Sequence, residues 1–297
     1  MRVADAPVLE CYLWSCDVDR DEGSLTVNSG WSHVRVADAT LEVNVRGRGE
    51  PVVLIQTALT ADEFLPLASQ PALADGYQVI LYHRRGYAGS SPVQGPGSIE
   101  RDARDCEALL AALHIDRAHI VGVSYSAAVA LQLAAMASGS VHSLCLIEPP
   151  PVHAEEFRAA NAQLTEAFRR HGPATALDRF LTRVVGPDWR RDIERHLPAG
   201  VLQVKHDADT FFATDIPALT AWRFGPDDAQ GVIQPVLYIG GTDSGPWFSE
   251  VRELVLAWIP HAQDVMLPGA DHSLALTHAP QLAAALTAFL RRHHIPA

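Results

Sequence analysis

The chain predicts an α/β architecture: a mostly parallel central sheet flanked by helices, with a helical cap inserted late in the sheet. Three observations carry this. Short apolar runs alternate with helix-spaced segments from residue 33 to residue 147, at the spacing of crossover units. The alternation stops at Pro149-Pro150-Pro151, gives way to helix-like sequence until about residue 231, and resumes at Pro235. Residues 118–137 pass from a buried strand straight into a helix of small residues, through Gly122-Val123-Ser124-Tyr125-Ser126.

Size and composition agree. With 297 residues, 48% of them hydrophobic and 20% charged, the chain can bury one large α/β domain with an inserted subdomain. The net charge of −12 leaves no basic stripe to neutralise phosphates, so nucleic acid is not an expected partner. The longest apolar runs, such as residues 127–137, are too short to span a bilayer, so no membrane association is expected. Asp5 and Glu10 interrupt any apolar stretch near the N-terminus, so no secretion signal is expected. Cys11, Cys16, Cys106 and Cys145 show neither metal spacing nor a paired framework, and reduced thiols in the cytoplasm are the expectation. The fourteen histidines are scattered, without a His-Glu-x-x-His cluster, so neither metal nor cofactor is expected. The oligomeric state stays open, a homodimer included.

Taken in order, residues 1–32 form an N-terminal extension, with an apolar stretch at 8–16 and an acidic turn at 17–23. Residues 33–36 and 41–45 flank a turn and read as a hairpin. Residues 52–56 are a buried strand, 61–69 helical, and 77–82 the next strand. Residues 99–113 have helical spacing, with Leu109, Leu110 and Leu113 on one face. The strand at 119–123, the helix at 127–137 and a strand at 141–147 follow. Residues 150–231 carry apolar anchors and aromatics, among them Phe157, Phe168, Phe180, Trp189, Phe211 and Trp222, and are read as a cap roofing a pocket. Most of those aromatics serve as the cap's own core. A strand at 235–240, a helix at 247–258, a strand at 263–267 and a helix at 279–292 complete a core of residues 33–149 and 232–297.

The candidate chemistry centres on Ser124. A strand turning sharply into a helix leaves one side chain exposed in a strained backbone position, with the helix N-terminus aimed at it. Gly-x-Ser also occurs at Gly30-Trp31-Ser32 and Gly89-Ser90-Ser91, but neither lies between a buried strand and an Ala-rich helix. The bland alternative for Ser124 is a helix cap. A serine nucleophile needs a base, and the base needs an acid to fix its tautomer. Asp243, in Ile-Gly-Gly-Thr-Asp-Ser, and His272, in Leu-Pro-Gly-Ala-Asp-His-Ser, each follow a late strand. Glu148, ending the strand after the elbow, is the alternative acid, while Asp243 could instead cap a helix.

With elbow, acid loop and histidine loop in this order, residues 33–297 resemble the α/β-hydrolase family. The resemblance implies Ser124 as nucleophile, His272 as base and Asp243 as acid. It also implies an oxyanion hole made by the amides of Tyr125 and Ala58. The loop Gln56-Thr57-Ala58-Leu59 departs from the His-Gly common in that family, and the Thr57 hydroxyl is a further candidate donor. In the segment from His83 to Ser91, His83 replaces the usual Asp and Ala88 a usual Gly; Arg84 and Arg85 read as bracing residues or as holders of a substrate anion.

The implied activity is hydrolysis of a small to medium, largely apolar carboxylic ester or lactone, because the nucleophile is Ser rather than the Asp of the family's dehalogenases and epoxide hydrolases. The same triad also suits thioester hydrolysis, carbon–carbon cleavage or acyl transfer. A reading of another class is a noncatalytic small-ligand-binding protein of this fold.

Overall fold

A computed structural model describes residues 30–93, 96–137 and 139–296. The readings of the 8–16 stretch, Cys11 and Cys16 fall outside the described residues. The first strand begins within the segment assigned to the extension: β1 (Trp31–Val36) pairs with β2 (Ala39–Arg46) across a two-residue turn. Ala37 makes that turn at φ 39°.

Strand β3 (Glu50–Ile55) is followed by two short helices, α1 (Leu65–Ala68) and α2 (Pro71–Ala74), then β4 (Tyr77–Tyr82). The helical reading of residues 61–69 holds only for its second half. Pro66 has no amide to donate and suits only a helix's first turn, so α1 begins beside it and residues 61–64 form turns. Next come α3 (Ile99–Ala112), β5 (Ala118–Val123), α4 (Tyr125–Met136) and β6 (Val141–Ile147). Ser98 caps α3 by accepting from the Arg101 amide. Every residue of β5 is buried, as a strand covered on both faces requires.

The segment between β6 and the next strand is helical: α5 (Glu155–His171), α6 (Pro173–Val184), α7 (Trp189–His196), α8 (Gly200–Thr210), α9 (Ile216–Ala221) and α10 (Pro226–Ala229). A π-helical turn, Phe211–Asp215, joins α8 to α9. Trp189, Phe211, Phe212 and Leu177 form this segment's own core, together with Leu59 from the sheet side. The chain closes with β7 (Val236–Gly241), α11 (Pro246–Trp258), β8 (Gln263–Leu267), the one-turn α12 (Leu274–Thr277) and α13 (Ala279–Leu290).

Among the described residues the strands form one eight-stranded sheet in the order β1-β2-β4-β3-β5-β6-β7-β8. β2 runs antiparallel to both its neighbours, β1 and β4, and β3 through β8 are parallel to one another. One core lies on each face: Ile120, Val129 and Leu146 belong to one, Val121, Ile147 and Leu286 to the other. Cys106 and Cys145 are free and fully buried; burial pushes the Cys106 thiol up to about 12. No helix among the described residues is long and apolar enough to cross a membrane. In a parallel sheet a ligand site forms beyond the carboxyl ends of the strands, where β5 hands over to α4.

Candidate active site

Ser124 stands between β5 and α4 at φ 50°, ψ −117°, a conformation that costs a non-glycine residue free energy. Two neighbours make the tight turn possible. A Cβ on Gly122 would lie 2.3 Å from the Ser126 carbonyl oxygen, so only glycine fits there. Ser126, where the family commonly has Gly, is fully buried. Its hydroxyl accepts from the Val123 amide at 2.9 Å and donates to the Val123 carbonyl at 3.0 Å, tying the turn shut. The first amides of α4 have no intrahelical acceptor and face the Ser124 end of the helix.

His272 lies in the loop after β8. Its Nδ1 is 2.7 Å from Glu148 Oε2. Glu148 follows β6 at φ 43°, and its side chain is 1% exposed. Its other oxygen, Oε1, accepts from the Gly241 amide at 2.8 Å. Phe248 stacks on the imidazole with ring centroids 4.0 Å apart, fixing the ring plane. Asp243, the acid expected from chain order, is not at His272. It is exposed, and its carboxylate accepts from the Thr242 hydroxyl. The reason is local. Directly after β7 the chain turns at Thr242-Asp243, with these two amides bound to the Leu267 and Ala270 carbonyls, and the Asp243 side chain is left exposed. Glu148, the alternative acid, takes the place beside His272. A clue was present: a carboxylate ending an apolar strand, ahead of three prolines, is buried and must be paired.

The loop after β3 is held from several sides. Gln56 donates from its side-chain amide to the Thr57 carbonyl and accepts from the Arg84 amide. The Thr57 hydroxyl donates to the Val123 carbonyl at 2.9 Å, binding this loop to the elbow strand, and Thr57 also lines the cavity beside Ser124. Tyr125 points its ring away, its hydroxyl donating to Asp102 at 2.9 Å, which leaves its amide for the site. Ala58, Tyr125, Ser124 and His272 line one cavity of about 330 Å³.

Arg84 is the brace for this arrangement. It is 2% exposed and donates to Asp102 at 2.7 Å, to Asp215 at 2.8 Å and to the Gln56 carbonyl at 3.0 Å. Burial works against its charge, but Asp215 and Asp102 outweigh that and hold the guanidinium protonated. Asp215 comes from the π-helical turn, so Arg84 couples the loop after β3 to the helical insertion. Arg85 is likewise paired, with Asp105 and Asp38. His83 bridges Glu42 at 2.8 Å and Asp62 at 3.1 Å; burial would lower its pKa, but these two carboxylates raise it.

The rest of the lining is mixed rather than purely apolar. Phe157, Phe180, Leu181, Ile216 and Trp247 supply apolar surface, whereas Glu63, Arg183, Asp192, Arg195 and Asp271 supply charge. Glu63 was not singled out in the sequence, where it sits in an unremarkable Ala-Asp-Glu-Phe run. Among the described residues no three His, Cys, Asp or Glu side chains gather into a group that could hold a metal.

The family model for the alpha/beta hydrolase fold matches residues 51–279, and the chain belongs to that family. It is 27% identical over 248 residues to the dihydrolipoyllysine-residue acetyltransferase component of an acetoin cleaving system from Pseudomonas putida, covering 82% of this chain. The chain spans 64% of that relative's length. Among solved structures, a thermophilic esterase from Thermogutta terrifontis superimposes with a TM-score of 0.76 at 20% identity, over 89% of this chain and 99% of that one. An enol-lactonase from Burkholderia xenovorans LB400 does so with a TM-score of 0.75 at 22% identity, over 88% of this chain and 100% of that one. At these identities the structural likeness speaks for the fold.

Proposed function

We propose that the chain is a serine hydrolase of carboxylic esters or lactones, acting through an acyl-enzyme on Ser124. The observation that carries this reading is a strained elbow serine lining one cavity with a histidine whose Nδ1 is held by a buried carboxylate. Glu148 keeps the proton on Nδ1, so Nε2 is the basic nitrogen. Ser124 Oγ attacks the acyl carbon while His272 takes its proton. The amides of Tyr125 and Ala58 receive the developing oxyanion. The imidazolium, stabilised by Glu148, then protonates the leaving alcohol. Water, deprotonated by His272, releases the acid and restores Ser124. In this reading residues 150–231 are the cap, and closing it over the cavity removes bulk water. The cavity's size suits a small to medium ligand. The esterase and lactonase among the structural relatives are compatible with an ester-type substrate.

The test is intact mass after exposure to a fluorophosphonate. Wild type should gain one adduct, Ser124→Ala none, and Glu148→Gln should react slowly while Asp243→Asn reacts like wild type. Fast labelling that survives in Ser124→Ala would remove the proposal.

A further inference from the structure

Glu63 is a charged side chain of the cavity that the hydrolytic steps do not use. Its position is set by the backbone and by its neighbours. The Glu63 amide donates to the Thr60 carbonyl at 3.3 Å, Asp62 is held by His83 at 3.1 Å, and Phe64 is 3% exposed. The side chain is therefore not on a wandering loop. It lines the same cavity as Ser124 and His272.

Among the acids lining the cavity, Glu63 is set apart by a carboxyl with no hydrogen bond or ion pair among the described residues, whereas Asp271 and Asp192 each have one. Burial pushes its carboxyl up to about 7, with the nearby His272 pulling the other way. The side chain lines the cavity and is partly exposed. Among the described residues no hydrogen-bond donor reaches its carboxyl. The other acids of the region are engaged: Glu148 with His272 and Gly241, Asp62 with His83, Asp271 with the Ser273 amide. A carboxyl without protein donors relies on solvent, and cutting it off from solvent without supplying a donor is costly. A substrate that fills this cavity displaces the solvent that Glu63 depends on. An all-apolar substrate would leave the carboxyl stranded, whereas one with a hydrogen-bond donor at the right place would satisfy it.

We propose that Glu63 is a specificity-determining residue that binds a hydrogen-bond donor on the substrate, a hydroxyl or an ammonium group, on the side of the site where the loop bearing Ala58 lies. This deepens the hydrolase reading and rests on it for the position of the scissile carbonyl. It also revises the expectation of a largely apolar ligand: the apolar walls take the carbon skeleton, and Glu63 selects a polar substituent. Sites built to hydrogen-bond a substrate group reject analogues that lack it far more strongly than apolar pockets reject a missing methylene.

The experiment compares ethyl hexanoate with ethyl hexanoates carrying a hydroxyl, or an amino group, at each carbon of the acyl chain in turn. Wild type, Glu63→Gln and Glu63→Leu are assayed, and the ratio of kcat/KM for substituted over plain ester is taken within each variant, so that differences in folded fraction cancel. At one position the wild-type ratio should exceed about 10 and fall to near 1 in Glu63→Leu. Glu63→Gln should keep part of the preference for the hydroxyl and lose it for the amino group. In parallel, the shift in Tm that each ester gives is measured in Ser124→Ala, with and without Glu63→Leu; the same selectivity should appear there without turnover. An unchanged ratio and unchanged Tm selectivity in Glu63→Leu would overturn the proposal. A purely electrostatic role toward His272 would lower kcat for all esters alike and leave the ratios flat, which also overturns it. No turnover by wild type, with Glu63-dependent Tm selectivity intact in Ser124→Ala, would remove the Ser124 reading and leave the Glu63 anchor standing.

Discussion

Glu148 Oε2 lies 2.7 Å from Nδ1 of His272, so the carboxylate facing the imidazole comes from the end of β6 and not from the loop after β7. With Glu148 neutralised, Nδ1 is no longer held to one tautomer and the imidazolium loses its counter-charge. Glu148→Gln should lower kcat by about 1,000- to 10,000-fold with little change in KM. Asp243→Asn alters an exposed side chain bonded to Thr242 and should stay within about threefold of wild type. Steady-state kinetics on any accepted ester decide between them. The reverse pattern would restore Asp243 as the acid.

Ser124 and His272 act on one proton, so removing either should remove what the other does. Ser124→Ala and His272→Ala should each cost about 10,000-fold or more in kcat, and the double variant should be no worse than the weaker single one by more than a small factor. A double variant far below both singles would mean that the two side chains work independently, and the proposed mechanism would not stand.

Much of this was legible in the chain. Strands β4 and β6 match the runs read at 77–82 and 141–147, because a strand largely covered on both faces admits few polar residues. The elbow was legible for a similar reason: Gly122 is dictated by a backbone contact of its own turn. The acid was harder. Asp243 and Glu148 both end strands, and the choice depends on whether the backbone turns the side chain inward, which Gly241 and the carbonyls of Leu267 and Ala270 decide through contacts distant in sequence. Glu63 was invisible for the same reason. Nothing in Ala-Asp-Glu-Phe tells which carboxylate meets His83 and which faces the cavity.

Arg84 joins Asp102 of α3 to Asp215 of the helical insertion, and its side chain is almost wholly buried. Removing one partner from such a cluster leaves uncompensated charge inside the protein. Arg84→Met should destabilise the fold by about 3–5 kcal/mol in urea denaturation. Adding Asp215→Asn should recover part of that loss, because one stranded carboxylate becomes neutral and can keep its bond with Tyr87. Simple additivity of the two changes would show that the cluster is not a coupled unit. Activity should fall in Arg84→Met beyond the loss of folded protein, since the Gln56 carbonyl loses its donor and the loop carrying Ala58 loosens.

Glu63 gives the stability of the protein a pH dependence of defined sign. Its carboxyl is pushed up from 4.5 to about 7 by burial, so between those values the folded state keeps a proton that the unfolded chain releases. Folded protein binding more protons means that stability falls as pH rises through this window, and the loss is complete once pH passes the folded value. Glu63→Gln removes the titration while keeping the shape. Relative to wild type, Glu63→Gln should therefore gain on the order of 3 kcal/mol at most between pH 5 and pH 8. Urea denaturation of both proteins at the two pH values measures the difference directly. A gap that stays constant with pH would mean that Glu63 is ionised throughout, as it would be with a donor already bound to it.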